Sequence, residues 1–306
     1  SITELSALTM DIHAHYAHGD RATPRFNRRF VLSLSDNPNC VVVDDRLDVM
    51  PVYEHLLDVR PVAAAGAGDE MDAVRARYAD VPVLRDVLGV TVTADQARCV
   101  IALFETLREK TLSATVAVTA ARGRGKSAAL GLVVASAVAL GYSNVFVTAP
   151  APENVRTVFE FVVRGLEAFG MKEHTDYDLV QTTRTEFGRA VVRVNVHRTH
   201  RQTVQYILPT DTAQLGQAEL VVVDEAAAIP LPTVRRLLGN YAVMLSTTTN
   251  GYEGTGRSLS LKLLKELKDG RSAASRGRTF QELELTRPIR YAAGDAVEGW
   301  LNRLLC

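Results

Sequence analysis

The run Thr119-Ala-Ala-Arg-Gly-Arg-Gly-Lys-Ser127 lies between the apolar stretch Thr115–Val118 and the long apolar segment Ala128–Leu140. That order reads as strand, glycine-rich turn and helix, and it restricts the chain to folds in which a strand feeds a helix through a tight loop. In such a loop the backbone N–H groups and the helix N-terminus converge on phosphate oxygens. Lys126 would reach the β- and γ-phosphates of a nucleoside triphosphate, and the Ser127 hydroxyl a Mg²⁺ ion. Ala120 stands where the first glycine of this pattern is usual. Taken alone, a turn of small residues serves equally to pack a helix against a strand.

A second feature weighs on that choice. Glu219-Leu-Val-Val-Val-Asp-Glu-Ala226 has the continuous apolar run of a buried parallel strand, with its acids at the C-terminal end where open α/β sheets place ligands. Asp224 would hold Mg²⁺, and Glu225 would orient or deprotonate an attacking water. An ordinary strand exit also carries acids, but the lysine loop upstream favours the catalytic reading. A third feature, Leu245-Ser-Thr-Thr-Thr-Asn250, puts a row of hydroxyls after the apolar Tyr241–Met244. Such a row can sense a γ-phosphate, and the same residue types also build turns.

The chain has 306 residues, long for one core, so one large and one small domain are expected. Lys plus Arg equals Asp plus Glu at 35 each, so no global basic field announces nucleic acid. RNA contact would have to come from local patches such as Arg21, Arg25, Arg28 and Arg29, or His197-Arg198-Thr-His200-Arg201; both are also ordinary solvated faces. Cys40, Cys99 and Cys306 are scattered and unpaired, which points to a reducing compartment and away from structural zinc. His13, His15 and His18 lack a second ligand group. No apolar run approaches the ~18 residues of a membrane span, and the chain opens on Ser1 rather than Met, as a fragment or processed chain would.

Along the chain, Phe26–Ser35 reads as a helix and Cys40–Asp44 as a strand. Residues 1–60 are therefore expected to be the C-terminal part of an N-terminal α/β domain. The Ala-, Gly- and charge-rich stretch that follows makes 61–90 a linker, and 91–306 the main domain. Thr93 is positioned to cap a helix Ala94–Arg108, with Ala97, Val100, Ile101, Phe104 and Leu107 as one buried stripe. Strands then alternate with helices: Thr115–Thr119, Lys126–Leu140, Val145–Thr148, Glu153–Phe169, Ala190–Val196, Val204–Leu208, Leu220–Val223, Tyr241–Leu245 and Ser258–Leu267. That order predicts a mostly parallel sheet covered on both faces. Asp269–Arg278 reads as a polar surface loop, Glu282–Leu285 as a last strand and Asp295–Leu305 as a closing helix.

Several of these segments resemble one family. Thr119-Ala-Ala-Arg-Gly-Arg-Gly-Lys-Ser-Ala128, Leu215-Gly-Gln-Ala-Glu-Leu220, Asp224-Glu-Ala-Ala-Ala-Ile-Pro-Leu-Pro232, Gly251-Tyr-Glu-Gly-Thr-Gly-Arg-Ser258, and Ile289-Arg-Tyr291 with Gly294-Asp295 are similar to the RNA cytidine acetyltransferases, most closely the eukaryotic ones. The resemblance runs from Met10-Asp11 through Arg25-Phe26-Asn27 to the end of the chain. It implies a three-layer RecA-like P-loop NTPase domain, the helicase-like module of an enzyme that uses ATP, Mg²⁺ and acetyl-CoA to form N4-acetylcytidine in 18S rRNA and tRNA. It also implies rRNA and tRNA as partners with ribosome-assembly and tRNA-adaptor proteins, a homodimer, no membrane, and a nuclear, nucleolar location. Residue by residue, Gln96 would read the adenine, Arg122, Gly123, Arg124, Gly125, Lys126 and Ser127 would take the phosphates, and Arg290 would contact ATP. Ala293 stands where the family usually has Pro. By itself, Arg290 reads rather as a surface ion pair and Gln96 as the solvent face of a helix. For Gly251–Gly256 the residues assign no chemistry beyond a flexible loop.

Acetyl-CoA sites of the related acetyltransferase fold use Arg/Gln-x-x-Gly-x-Gly/Ala, and no window here satisfies that pattern. Tyr291-Ala-Ala-Gly-Asp-Ala296 comes nearest and lacks the leading basic or amide residue. The chain is therefore expected to bind and hydrolyse ATP, with acetyl transfer and acetyl-CoA belonging to a domain outside it. Two rival readings stay open: a free-standing P-loop RNA helicase, which would ordinarily need a second lobe, and a nucleotide-gated scaffold for ribosome assembly.

Overall fold

The computed structural model describes residues 29–30, 32–34, 37, 40–50, 68–182, 190–248, 256–269, 277–292 and 294–305. The chain divides into two compact units, Ala65–Arg290 and, separately, Ser1–Ala64 with Tyr291–Cys306. This division differs from the one expected at residues 60 and 90. Where a linker was expected at 61–90, the larger unit has two helices, α1 (Gly68–Arg77) and α2 (Pro82–Val90). Met71, Leu84, Val87 and Leu88 from these helices are buried in the main core. Alanine and glycine content masked an apolar face that only the packing partners reveal.

Helix α3 (Ala94–Arg108) begins where its cap dictates: Thr93 is extended, and its side chain accepts the Gln96 N–H. The stripe Ala97, Val100, Ile101, Phe104 and Leu107 is buried as its spacing requires. β1 (Ala114–Ala120) follows and feeds α4 (Lys126–Ala139). Helix α4 is apolar all round and is accordingly buried between α3 and α5 (Arg156–Ala168). The remaining elements are β2 (Asn144–Thr148), β3 (Tyr177–Gln181), β4 (Val191–Val196), β5 (Gln202–Tyr206), β6 (Leu220–Val223), α6 (Leu231–Arg236), β7 (Ala242–Thr248), α7 (Gly256–Asp269) and β8 (Thr279–Leu285). The half-exposed β3 had no apolar run to announce it.

These strands form one sheet in the order β3-β4-β5-β2-β6-β7-β1-β8. From β5 to β8 every pairing is parallel, and β3, β4 and β5 pair antiparallel at one edge. Alternation along β1 sends Val116, Val118 and Ala120 into the core with α3, α4 and α5, and Ala117 into the opposite core with Val234 of α6 and Leu264 and Leu267 of α7. The result is the three-layer RecA-like P-loop α/β fold that the family resemblance implies, with β7 separating the phosphate-loop strand β1 from the acid-bearing strand β6. Ser246, Thr247 and Thr248 sit inside β7, paired on one side with β1, so the turn reading is corrected for these three; Thr249 and Asn250 lie outside the described residues.

In the smaller unit, Val43 and Val49 form an antiparallel bridge around a turn in which Asp44 Oδ1 accepts the Arg46 and Asp48 N–H groups. Helix α8 (Ala296–Leu305) is capped by Asp295, whose carboxylate accepts the Val297 and Glu298 N–H groups. Trp300 packs against Phe30, with ring centroids 5.9 Å apart, and donates its indole N–H to the Ser33 carbonyl. The closing helix thus groups with the first segment rather than with the 91–306 domain. No described helix is long and apolar enough to cross a membrane.

Arg278, assigned to a polar loop by its neighbours in sequence, ties the entry ends of β1, β7 and β8 together. Its guanidinium donates to Thr115 Oγ1 (2.7 Å), to the Ala114 (2.7 Å) and Tyr241 (2.9 Å) carbonyls, and to the Gly239 carbonyl. Arg278→Ala leaves these acceptors without a donor and is expected to lower stability by about 2–3 kcal/mol in urea unfolding, with Arg278→Lys recovering only part because an ammonium cannot fork to four acceptors.

Candidate nucleotide-binding site

The phosphate loop joins β1 to α4 through two glycines in left-handed backbone, Gly123 (φ 74°) and Gly125 (φ 81°). Any other residue at these positions would be strained. A Cβ at Gly125 would also fall 2.6 Å from Gln96 Nε2 and 2.7 Å from Ile289 Cδ1, so those side-chain ends would have to shift as well. Lys126 opens the helix and is buried, its Nζ donating to the Ala120 (3.2 Å) and Ala121 (3.1 Å) carbonyls of its own loop. Burial pulls the ammonium down to about 8 from 10.5, against the opposing pull of the Asp224 and Glu225 carboxylates.

Those carboxylates leave the C-terminal end of β6, two strands from β1. Parallel pairing of Val223 with Leu245 brings Asp224 alongside Ser246 of β7. The Ser246 hydroxyl donates to Asp224 Oδ1 and accepts the Glu225 N–H at 3.2 Å. Asp224 is 1% exposed, and its Oδ2 has no hydrogen-bond partner. A buried carboxylate oxygen left in that state costs about 1–3 kcal/mol or more, which a hard divalent cation would remove. Asp224 with the Ser127 hydroxyl on the facing helix therefore fits Mg²⁺. Glu225 adopts left-handed backbone (φ 50°) although it is not glycine, and its Oε2 accepts a hydrogen bond from Asn154 Nδ2 at 2.9 Å.

A segment after β8 completes the loop's surroundings. Ile289 and Arg290 donate their backbone N–H groups to the Gly123 carbonyl at 2.8 and 3.2 Å. Arg124, expected among the phosphate contacts, is instead buried, its guanidinium donating to the Thr286 and Arg122 carbonyls. Asp95 on α3 accepts the Thr286 and Arg287 N–H groups at 2.9 and 2.8 Å. Burial would raise the Asp95 carboxyl, but hydrogen bonds from the Thr93 hydroxyl and the Arg287, Thr286 and Gln96 N–H groups outweigh it and hold the group below its ordinary range. Gln96 is not a solvent-facing helix residue: it is 1% exposed, accepting the Val92 N–H at 2.9 Å and donating to the Gly125 carbonyl at 3.3 Å. Lys126, Ser127, Asp224 and Glu225 thus gather at one end of the parallel strands, with Gln96 and the exposed Arg290 flanking the loop.

Sequence reasoning missed Asn154, Ser246 as the partner of Asp224, and Asp95. Each acts through a residue 22 to 192 positions away, a separation at which no local pattern exists. The His197–Arg201 patch is partly neutralised, with His197 facing Asp178 and Arg198 facing Asp176. Arg21, Arg25, Arg28, the histidines at 13, 15 and 18, and the Gly251–Thr255 part of the glycine loop lie outside the described residues; Arg29 donates to the Leu304 carbonyl. Among the described residues no cluster of three His, Cys, Asp or Glu could hold a metal ion. Burial, and next the Asp95 carboxylate, push the Cys99 thiol up to about 12, which makes it an inert core residue.

Residues 117–306 match the family model described as RNA cytidine acetyltransferase NAT10/TcmA, helicase domain. The whole chain is 48% identical to the RNA cytidine acetyltransferase of Saccharomyces cerevisiae and 49% identical to that of Homo sapiens, covering 32% of each. RNA cytidine acetyltransferase 1 of Arabidopsis thaliana is 46% identical over the whole chain, which covers 31% of it. The chain therefore spans about a third of the length of these curated relatives. Among solved structures, the large terminase from a thermophilic bacteriophage overlaps 61% of the chain and 45% of its own (TM-score 0.41, 13% identity), and a Thermus phage large terminase ATPase domain 60% and 79% (TM-score 0.37, 16% identity). Likeness this loose carries no functional argument.

The depressed Lys126 ammonium has two opposite consequences. Only its cationic form attracts phosphates, so ATP affinity in calorimetric titration is expected to weaken as pH rises through about 8. Because the unfolded lysine still holds its proton up to 10.5, the same group makes folding more favourable between about 8 and 10.5. Lys126→Ala should remove both trends.

Proposed function

Since the chain belongs to the RNA cytidine acetyltransferase family, we propose that it is the ATP-hydrolysing, helicase-like module of an enzyme that forms N4-acetylcytidine in 18S rRNA and tRNA. The observation that carries this reading is the emergence of the Lys126 loop after β1 and of Asp224 and Glu225 after β6 at the same end of parallel strands. On binding ATP, the Lys126 ammonium leaves the Ala120 and Ala121 carbonyls for the β- and γ-phosphates. The N–H groups of Gly123 to Ser127 cradle those phosphates at the start of α4. Asp224 and the Ser127 hydroxyl would hold Mg²⁺, which supplies charge neutralisation for the transferred phosphoryl group. Ser246 holds Asp224 Oδ1, keeping Oδ2 directed to that task.

Glu225 then takes a proton from the attacking water as its oxygen bonds to the γ-phosphorus and the bond to the β,γ-bridging oxygen breaks, leaving ADP and phosphate. The family resemblance would give Gln96, which donates to the Gly125 carbonyl, the adenine, and Arg290, packed over Gly123, a contact to ATP. Turnover would drive a change in RNA or domain contacts that brings an unpaired cytidine to an acetyl-CoA site outside this chain. On this reading the partners are rRNA and tRNA, with assembly and adaptor proteins and a second copy of the enzyme, and the place of work is the nucleolus.

ATP hydrolysis by the purified protein, with and without structured RNA, tests the proposal. Lys126→Ala is expected to abolish nucleotide binding. Glu225→Gln should bind ATP with near-parental affinity while turnover falls at least about 100-fold, and the intact enzyme carrying it should lose N4-acetylcytidine formation. Tight binding without turnover in the parental protein would favour the nucleotide-gated scaffold instead.

A further inference from the structure

The structure assigns Asn154 as the positioning residue of Glu225, an inference that rests on the ATPase reading and goes beyond it by naming what aims the general base. Asn154 lies in the short helical turn Pro152–Val155 that follows β2, seventy-one positions from Glu225 in sequence. Its amide is oriented, not merely adjacent. Oδ1 accepts the Ala151 N–H at 3.1 Å, so the amide nitrogen must face the other way, and there Nδ2 donates to Glu225 Oε2 at 2.9 Å. The turn that carries it is anchored by Val155, which is fully buried in the main core.

The glutamate needs such an anchor. Its backbone is left-handed (φ 50°, ψ 44°), a conformation that costs a non-glycine residue about 1 kcal/mol or more and is kept only where surrounding bonds impose it. Two of those bonds are from its N–H to Asp224 Oδ1 (3.1 Å) and to Ser246 Oγ (3.2 Å). They fix the backbone and leave the carboxylate three rotatable bonds away. Asn154 supplies the restraint at the far end of the side chain, so that turn, strand β7 and β6 together set where the base stands.

The test separates aiming from capping. Asn154→Asp keeps an oxygen for the Ala151 N–H and so preserves the turn, but it has no hydrogen to give Glu225; Asn154→Ala loses both. In the intact protein with Mg²⁺, both variants are expected to bind ATP within about twofold of the parent and to lower kcat about tenfold or more, since a misaimed base loses part of a 10²–10⁴-fold contribution. In a Glu225→Gln background neither substitution should lower kcat further, because the residue being aimed is already disabled. Parental kcat in Asn154→Asp, losses that multiply in the double variant, or loss of ATP affinity in Asn154→Asp would each overturn the assignment while leaving the ATPase reading standing. Absence of turnover in the parental protein would overturn both.

Discussion

Three strands running side by side in one direction, β6, β7 and β1, support everything at the nucleotide site. Parallel strands all end on the same edge of the sheet, so the lysine loop after β1 and the acids after β6 emerge together, with the hydroxyls of β7 between them. The condition for such a sheet is cover on both faces. α3, α4 and α5 supply it on one side and α6 and α7 on the other. Loss of either layer would leave the strands exposed and the site without a frame.

Within that frame the charges are held in a costly arrangement. Lys126 is a buried ammonium satisfied by two loop carbonyls and by the field of two carboxylates. Asp224 keeps one oxygen on Ser246 and the other without a partner. On the proposed reading, nucleotide with its cation would relieve both conditions at once: the lysine would gain anionic oxygens and the aspartate a cation. Preorganised groups of this kind need no rearrangement during the reaction, which is where electrostatic catalysis draws its strength.

The segment after β8 gives the larger unit a further property. Thr286–Arg290 is bound by backbone hydrogen bonds to Gly123 of the phosphate loop and to Asp95 at the start of α3, and by Arg124 from within the loop. Any displacement of the loop on nucleotide binding is therefore felt by the residues at which this unit ends. The Arg124 guanidinium makes that connection, while Lys126, two residues on, keeps its place at the strand ends.

Much of this was legible in the chain because the signals are local. A cap at Thr93, an apolar stripe repeating along α3, glycines where the backbone must turn left-handed, and a run of valines ending in two acids each reflect the conformation of their own few residues. The segment 61–90 was misjudged for the converse reason: its Ala, Gly and charged residues at 63–70 read as a linker, and the burial of Met71, Leu84, Val87 and Leu88 depends on a core assembled from distant elements. Strand β3, the clamp made by Arg278, and the ties of Asn154 to Glu225, Ser246 to Asp224 and Asp95 to Arg287 were likewise silent. By itself the sequence determined most of the order of elements, the glycine-rich loop and the residues proposed as base and cation ligands, since these depend on propensity and spacing along the chain. Tertiary structure alone decided how those groups are aimed, because the orientation of a side chain is set by hydrogen bonds to residues that the sheet's crossover order brings into reach.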